Sequence, residues 1–240
     1  MNRFWSLTAR DGANVLEIRH EIVGDGWWTE DDPVCAAGIF RSQLGACAGE
    51  MNVLINSHGG DTFAAADIYT ALREYSASRG RVICYVTGIA ASAASLIAMA
   101  GDEVRISRVG MMMIHDPWTV AMGNAGELRE MADVLDTVRD AVAAAYVSRT
   151  GKSAAEIREM MANERYMTAE EAVEDGFADA IGVYEDSLVP KMQPQPPKEG
   201  EIGKLRDMAA RLKAQLLGDE DRRRMEERQR TAMRLRARCI

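Results

Sequence analysis

The sequence predicts a layered α/β domain in which strands and helices alternate, followed by a helical tail. Three observations carry that expectation. Short β-branched or aliphatic runs alternate with segments of helical period up to about residue 185. A run from Val82 through Gly101 carries no charge, in a chain of 240 residues of which 28% are charged. Three pairs, Asn124 with Glu127, Ser153 with Glu156 and Thr168 with Glu171, have the spacing of a capping box and mark helix starts.

Taken in order, NVLEIRHEI (14–22) alternates as a strand and is broken at Gly24–Gly26. Residues 33–48 read as a helix, and MNVLINSHGGD (51–61) as a buried strand ending in a Gly-Gly turn. In FAAADIYTALREY (63–75), Ala65, Ile68, Leu72 and Tyr75 recur at steps of three and four, the spacing of a packed helix. RVICYVTG (81–88) is β-branched, so a strand is expected to end near Gly88 and an alanine-rich helix to follow. EVRIS and MMMIH give two further short strands. The helix expected over 125–149 has the clearest period, with Leu128, Met131, Leu135, Val138, Val142 and Ala145 on one stripe and Gly151 as its stop. Shorter helices follow Ser153 and Thr168. The domain is expected to span 1–189, with a proline-rich linker over 190–200 and a charged amphipathic helical tail over 201–240.

Charge is unevenly spread. The formal net charge is −8, yet residues 201–240 hold 12 Lys and Arg against 7 Asp and Glu, a local +5 that leaves −13 for 1–200. An acidic body argues against nucleic-acid binding by the main domain. The basic tail reads as a solvated helix or as a docking segment. Four cysteines without a CxxC pair fit reduced thiols in a cytoplasm. Three histidines and no ligand spacing leave no expected metal site. The first fifteen residues show no apolar signal core, and no phosphate-binding loop is present, so neither ATP hydrolysis nor any cofactor is expected of this chain.

The uncharged run is too rich in Gly, Ala, Ser and Thr for a membrane span, which needs about 20 strongly apolar residues. It reads instead as a buried strand turning sharply into a buried helix. Ser92, four residues after Gly88 and flanked by alanines, sits at that corner, near the unpaired N–H groups of the helix start. On local sequence alone it reads as a small residue chosen for close packing rather than as a nucleophile, since the GxSxG form is missing. Ser95, one turn further in, reads as a packing residue. Three distant features add weight to the nucleophile. MMMIHDP puts His115 at the end of an apolar strand, NSHGGD offers a free amide at a Gly-Gly turn, and NERYMTAEEA places Glu164 ahead of a helix. A base, an orienting carboxylate and an oxyanion donor are what a serine nucleophile requires.

INSHGGDTFAAADIYTAL, GIAASAAS, MMMIHDPWT and NERYMTAEEAVEDGFAD together resemble the Clp protease proteolytic subunit family, in its order and over about residues 14–185. Among its branches they look most like the head maturation (prohead) proteases of tailed bacteriophages. The resemblance implies a ClpP/crotonase-like α/β fold of repeated β-β-α units and a serine-type endopeptidase without cofactor. It makes Ser92 the nucleophile, His115 the general base and Glu164 the acid that holds the imidazole. The amides of Gly60 and Ala93 would form the oxyanion hole, and the polypeptide substrate would lie along Gly59, Asp61 and Thr62 and along Trp118 and Thr119 as an added strand. Asp116 is the rival acid, but neighbours on a strand face opposite ways. His58 stands where the family has proline.

A ring-shaped homo-oligomer is also implied, in the host cytoplasm or an assembling prohead. Capsid or scaffold proteins would then be reached through the tail, and an unfoldase ATPase is a further possible partner. Two other readings are weaker. Enolate-stabilising relatives do not need Ser92 and His115 together, and a Ser-Lys dyad has no lysine before Lys152. A catalytically inactive assembly partner is the remaining alternative.

Overall fold

The computed structural model describes residues 4–10, 13–24 and 37–184, all within the compact unit Met1–Leu188. The linker and tail expected over 190–240 lie outside the described residues, as do the first four residues of the helix expected from 33. In chain order the elements are β1 (Trp5–Arg10), β2 (Ala13–Ile22), α1 (Ala37–Gly45), β3 (Met51–Gly60), α2 (Thr62–Ser78), β4 (Val82–Ala91) and α3 (Ala93–Ala98). Then come β5 (Glu103–Ile106), β6 (Met111–Ile114), α4 (Ala125–Thr150), α5 (Ala154–Ala162), β7 (Arg165–Met167), α6 (Ala169–Glu174) and β8 (Ala180–Ile181). The α/β class expected from the sequence is the class of the structure, and β1, β7 and β8 are strands that the sequence pattern did not announce.

One sheet runs β1-β2-β3-β4-β5-β8, with β6 joining β4 and carrying β7 on its far side. Pairing is parallel from β2 through β8 and between β4 and β6, and antiparallel for β1–β2 and β6–β7. Helices α2 and α3 cover one face. Val82, Cys84 and Val86 of β4 point into that main core, together with Val53 and Ile55 of β3. Leu54, Ile83 and Tyr85 point to the other face, where they cluster with Val15. Burial on both faces is why the central strands read as unbroken apolar runs rather than alternating ones.

The strand expected to stop at Gly88 continues to Ala91. Residues 83–86 of β4 pair with β5, whereas 89–91 pair with β6, so the sheet forks within β4. Between Ile55↔Val86 and Ser57↔Ala90, β4 carries two more residues than β3. Gly88 lies in this bulge. A Cβ there would come within 2.4 Å of Asn56 Oδ1, whose oxygen accepts from Ile89 N–H. The glycine marks the fork, not the strand's end.

The uncharged run is buried as expected, with Ala93 through Ala100 all inside, although the helix it forms is only six residues long. No helix among the described residues is long and apolar enough to cross a membrane. All three capping boxes are formed, at Asn124, Ser153 and Thr168, and Gly151 closes α4 in the left-handed conformation. The apolar stripe of α4 behaves differently from that of α2. Ala65, Ile68, Leu72 and Tyr75 of α2 are buried, while Leu128 and Met131 of α4 are exposed.

Candidate active site

At the C-terminal end of β4 the chain turns sharply. Ser92 N–H still donates to Met113 O of β6 at 2.9 Å, continuing the ladder, and the next residue begins α3. To make the corner Ser92 adopts φ 55°, ψ −127°. A non-glycine residue held at positive φ costs on the order of 1–3 kcal/mol, so the surroundings must enforce it. They do so by close approach. Ala90, Ala91, Ala93 and Ala94 are buried around the serine. Gly59, at φ 101°, lies so near that a Cβ there would be 2.7 Å from Ser92 Cβ and from Ala91 O.

β6 runs parallel beside the end of β4, and His115 follows its last residue. Its Nε2 lies 2.7 Å from Ser92 Oγ. With the proton on Nδ1, Nε2 accepts the serine hydroxyl, the arrangement that activates an alcohol for attack. The structure thus brings together two residues that stand 23 apart in the sequence.

Glu164 is placed by the antiparallel pairing of β6 with β7. The ladder pairs Met113↔Tyr166 and Ile114↔Arg165 and ends there, so His115 and Glu164 both lie just past its last pair. Glu164 too is held at positive φ, 49°. Its side chain is exposed, and among the described residues no hydrogen bond joins it to His115. Asp116, one residue on, donates its N–H to Met161 O at 3.2 Å. Its Oδ1 is buried and without a hydrogen-bond partner among the described residues.

The two amides expected to bind an oxyanion come from separate elements. Ser92 O accepts the N–H groups of Ser95 and Leu96, whereas those of Ala93 and Ala94, the first of α3, have no carbonyl ahead of them within the helix. Gly60 closes β3 at φ 141°. A Cβ there would fall 2.0 Å from Ile22 O, so only glycine fits. The amides on either side are engaged, Gly59 N–H by Ser57 Oγ at 3.1 Å and Asp61 N–H by Ile22 O at 2.8 Å.

The other expected residues are spread along the rim. Asp61 Oδ1 accepts Ala64 N–H at 2.7 Å and caps α2, so that carboxylate is occupied by the fold. Thr62 lines the pocket at the reactive pair, with Leu96, Pro117, Val142 and Tyr146. Trp118, Thr119 and Val120 belong to an exposed irregular segment, Trp118 at 74% exposure. His58 is exposed on β3. The small pocket shares Thr62, Leu96 and Val142 with an apolar groove of about 460 Å³ between α2 and α4. Among the described residues no group of three His, Cys, Asp or Glu side chains is arranged to hold a metal ion.

Two residues contribute more than the sequence suggested. Ser57 is buried, its hydroxyl donating to His20 O while it accepts from Gly59 N–H, which ties the Gly-Gly turn to β2 where the β2–β3 register shifts. Ser95 is fully buried and hydrogen-bonded rather than simply packed. The signal for Ser95 was a hydroxyl placed inside an apolar run, whereas Ser57, between Asn56 and His58, gave none.

A sequence model of the Clp protease family matches residues 44–185, more than half of the chain. The chain belongs to the Clp protease family. Among curated relatives it is 34% identical over 137 residues to the ATP-dependent Clp protease proteolytic subunit of Staurastrum punctulatum, covering 55% of this chain and 66% of the relative. It is 30% identical over 150 residues to proteolytic subunit 4 of Rhodococcus jostii (strain RHA1), covering 62% and 76%. The subunit of Marchantia polymorpha is 32% identical over 145 residues, covering 58% and 69%. The chain thus spans 66% to 76% of the length of these Clp relatives, just under two thirds of the first. The family match includes Ser92, His115 and Glu164 and leaves β1, β2 and the 190–240 segment outside it.

Proposed function

We propose that this chain is a serine endopeptidase that cleaves polypeptides through an acyl-enzyme. The observation that carries the reading is the 2.7 Å contact between Ser92 Oγ and His115 Nε2 at a strained strand-to-helix corner. Ser92 Oγ attacks the peptide carbonyl while His115 takes its proton, and the oxyanion is held by the Gly60 and Ala93 amides. Collapse expels the amine, which leaves with the proton from His115. Water, deprotonated by the same imidazole, then hydrolyses the ester and restores Ser92. Glu164, just past the end of the β6–β7 ladder, fixes the imidazole tautomer once its side chain swings from solvent toward Nδ1. Substrate lies extended between Gly59–Thr62 and Trp118–Val120, and its apolar side chains enter the groove between α2 and α4.

The active form in this reading is a ring of identical subunits. The motif resemblance favours capsid or scaffold precursors as substrates during phage head maturation, with 201–240 delivering the enzyme to them. A second reading is favoured by the relatives, whose names include "ATP-dependent": a subunit working with an unfoldase ATPase. Deleting residues 199–240 separates the two. Head maturation predicts intact peptide cleavage with loss of incorporation into proheads; unchanged incorporation defeats the role given to the tail.

The test of the chemistry is labelling of the full chain with a fluorophosphonate, beside Ser92→Ala and His115→Ala. Labelling of the parent that disappears in Ser92→Ala and is strongly slowed in His115→Ala is expected. An oligomeric, folded parent that does not label would instead make the chain an inactive assembly partner.

A further inference from the structure

One turn into α3, Ser95 Oγ lies 2.6 Å from Ser92 O and 2.8 Å from Tyr146 Oη. Both side chains are fully enclosed, Ser95 at 0% and Tyr146 at 2% exposure. Proton counting fixes the direction of this chain. A carbonyl only accepts, so the single Ser95 hydroxyl proton is committed to Ser92 O. The bond to Tyr146 must then be donated by the phenol. Burial pushes that phenol up to about 12, with the Ser95 contact opposing, so the donor proton stays in place at neutral pH.

We infer that Ser95 and Tyr146 are positioning residues that hold Ser92 in its strained conformation for attack, resting on the reading of Ser92 as the nucleophile. The strain at φ 55° has to be opposed from somewhere. The carbonyl of the strained residue accepts three bonds, from Ser95 N–H, Leu96 N–H and Ser95 Oγ. Only the last is anchored outside α3. Its anchor, Tyr146, is one of the two residues that α4 buries, and its ring packs against Phe177 at 5.7 Å. Helix α4 therefore reaches the nucleophile through two hydroxyls rather than through packing alone.

A purely structural role and a positioning role part company in a double-mutant cycle. Ser95→Ala removes the bond to Ser92 O and strands a buried phenol. It is expected to slow fluorophosphonate labelling about ten-fold and to lower the melting temperature by about 5 °C. Tyr146→Phe deletes the stranded group, so Ser95→Ala/Tyr146→Phe should recover most of the melting temperature while labelling stays about ten-fold slow. With a peptide substrate the loss should fall on kcat and leave KM unchanged. Labelling that recovers together with the melting temperature would overturn the inference, as would parental labelling in Ser95→Ala. A folded parent that fails to label overturns the nucleophile reading itself, and this inference with it.

Discussion

At the scale of single residues, the open question of the site is which carboxylate serves His115. Asp116 is adjacent in sequence and has a buried oxygen without a partner among the described residues. Glu164 is remote in sequence but lies just past the last pair of the β6–β7 ladder, at the end where His115 leaves β6. The proposed mechanism assigns the role to Glu164 on that placement. Glu164→Ala is therefore expected to lower kcat for a fluorogenic peptide about 100-fold, the range of a lost contribution to acid–base catalysis. Asp116→Asn should stay within about two-fold of the parent, because its carboxylate has no part in proton transfer in this arrangement. The reverse pattern in steady-state rates would transfer the role to Asp116. His115 stood out in the sequence because it ends an apolar strand, an expensive place for a polar side chain, whereas Ser92 drew notice through its place at a helix start after Gly88 and through the motif resemblance. The Ser95–Tyr146 bond was not legible, because a hydroxyl partner 51 residues away leaves no local pattern.

Among the elements, capping residues and helical period located the helices well, since both are local effects. What escaped was settled by partners distant in the chain. β4 passes Gly88 because β6 is there to receive its second half, and β7 and β8 are three and two residues long, too short to carry a period. The joint between α2, β4 and β5 shows how such distant parts are fixed. Asp102 accepts Ser76 Oγ at 2.7 Å, Val82 N–H at 2.9 Å and Arg73 Nη1 at 2.9 Å. Burial works to raise its pKa, but the bonds from Ser76, Val82 and Arg73 outweigh it and hold the carboxyl below its ordinary 3.8. A folded-state value below the unfolded one stabilises the fold fully above pH 3.8, and that contribution fades as the pH falls through the folded value. Asp102→Asn should thus melt below the parent at pH 7, and the gap should narrow steadily below about pH 4. Melting curves recorded from pH 7 to pH 2 check this, and a gap independent of pH would mean that Asp102 acts by its shape alone.

On the scale of the whole molecule, α4 is the element that the protomer leaves unfinished. Its 26 residues bury only Ala143 and Tyr146, both near the C-terminal end where it meets α3. Further out, Leu128, Met131 and Val134 are exposed at 45%, 38% and 52%. An amphipathic helix normally turns such a stripe toward a core, and an exposed apolar stripe is a candidate association site. The stripe has the regular spacing of a packed face and a full capping box at its start, so the helix is built to be rigid where it is bare. A second copy of the chain is an occupant that could cover this stripe. Leu128→Glu with Met131→Glu is expected to shift sedimentation of the full chain to a smaller species. The protomer's own core should be untouched, because neither side chain belongs to it. If the Ser95–Tyr146 contact transmits the seating of α4 to Ser92, the dissociated variant should also label more slowly with fluorophosphonate while its circular dichroism is unchanged. An unaltered sedimentation coefficient would place the ring contacts elsewhere and leave α4 as a docking face for a different protein.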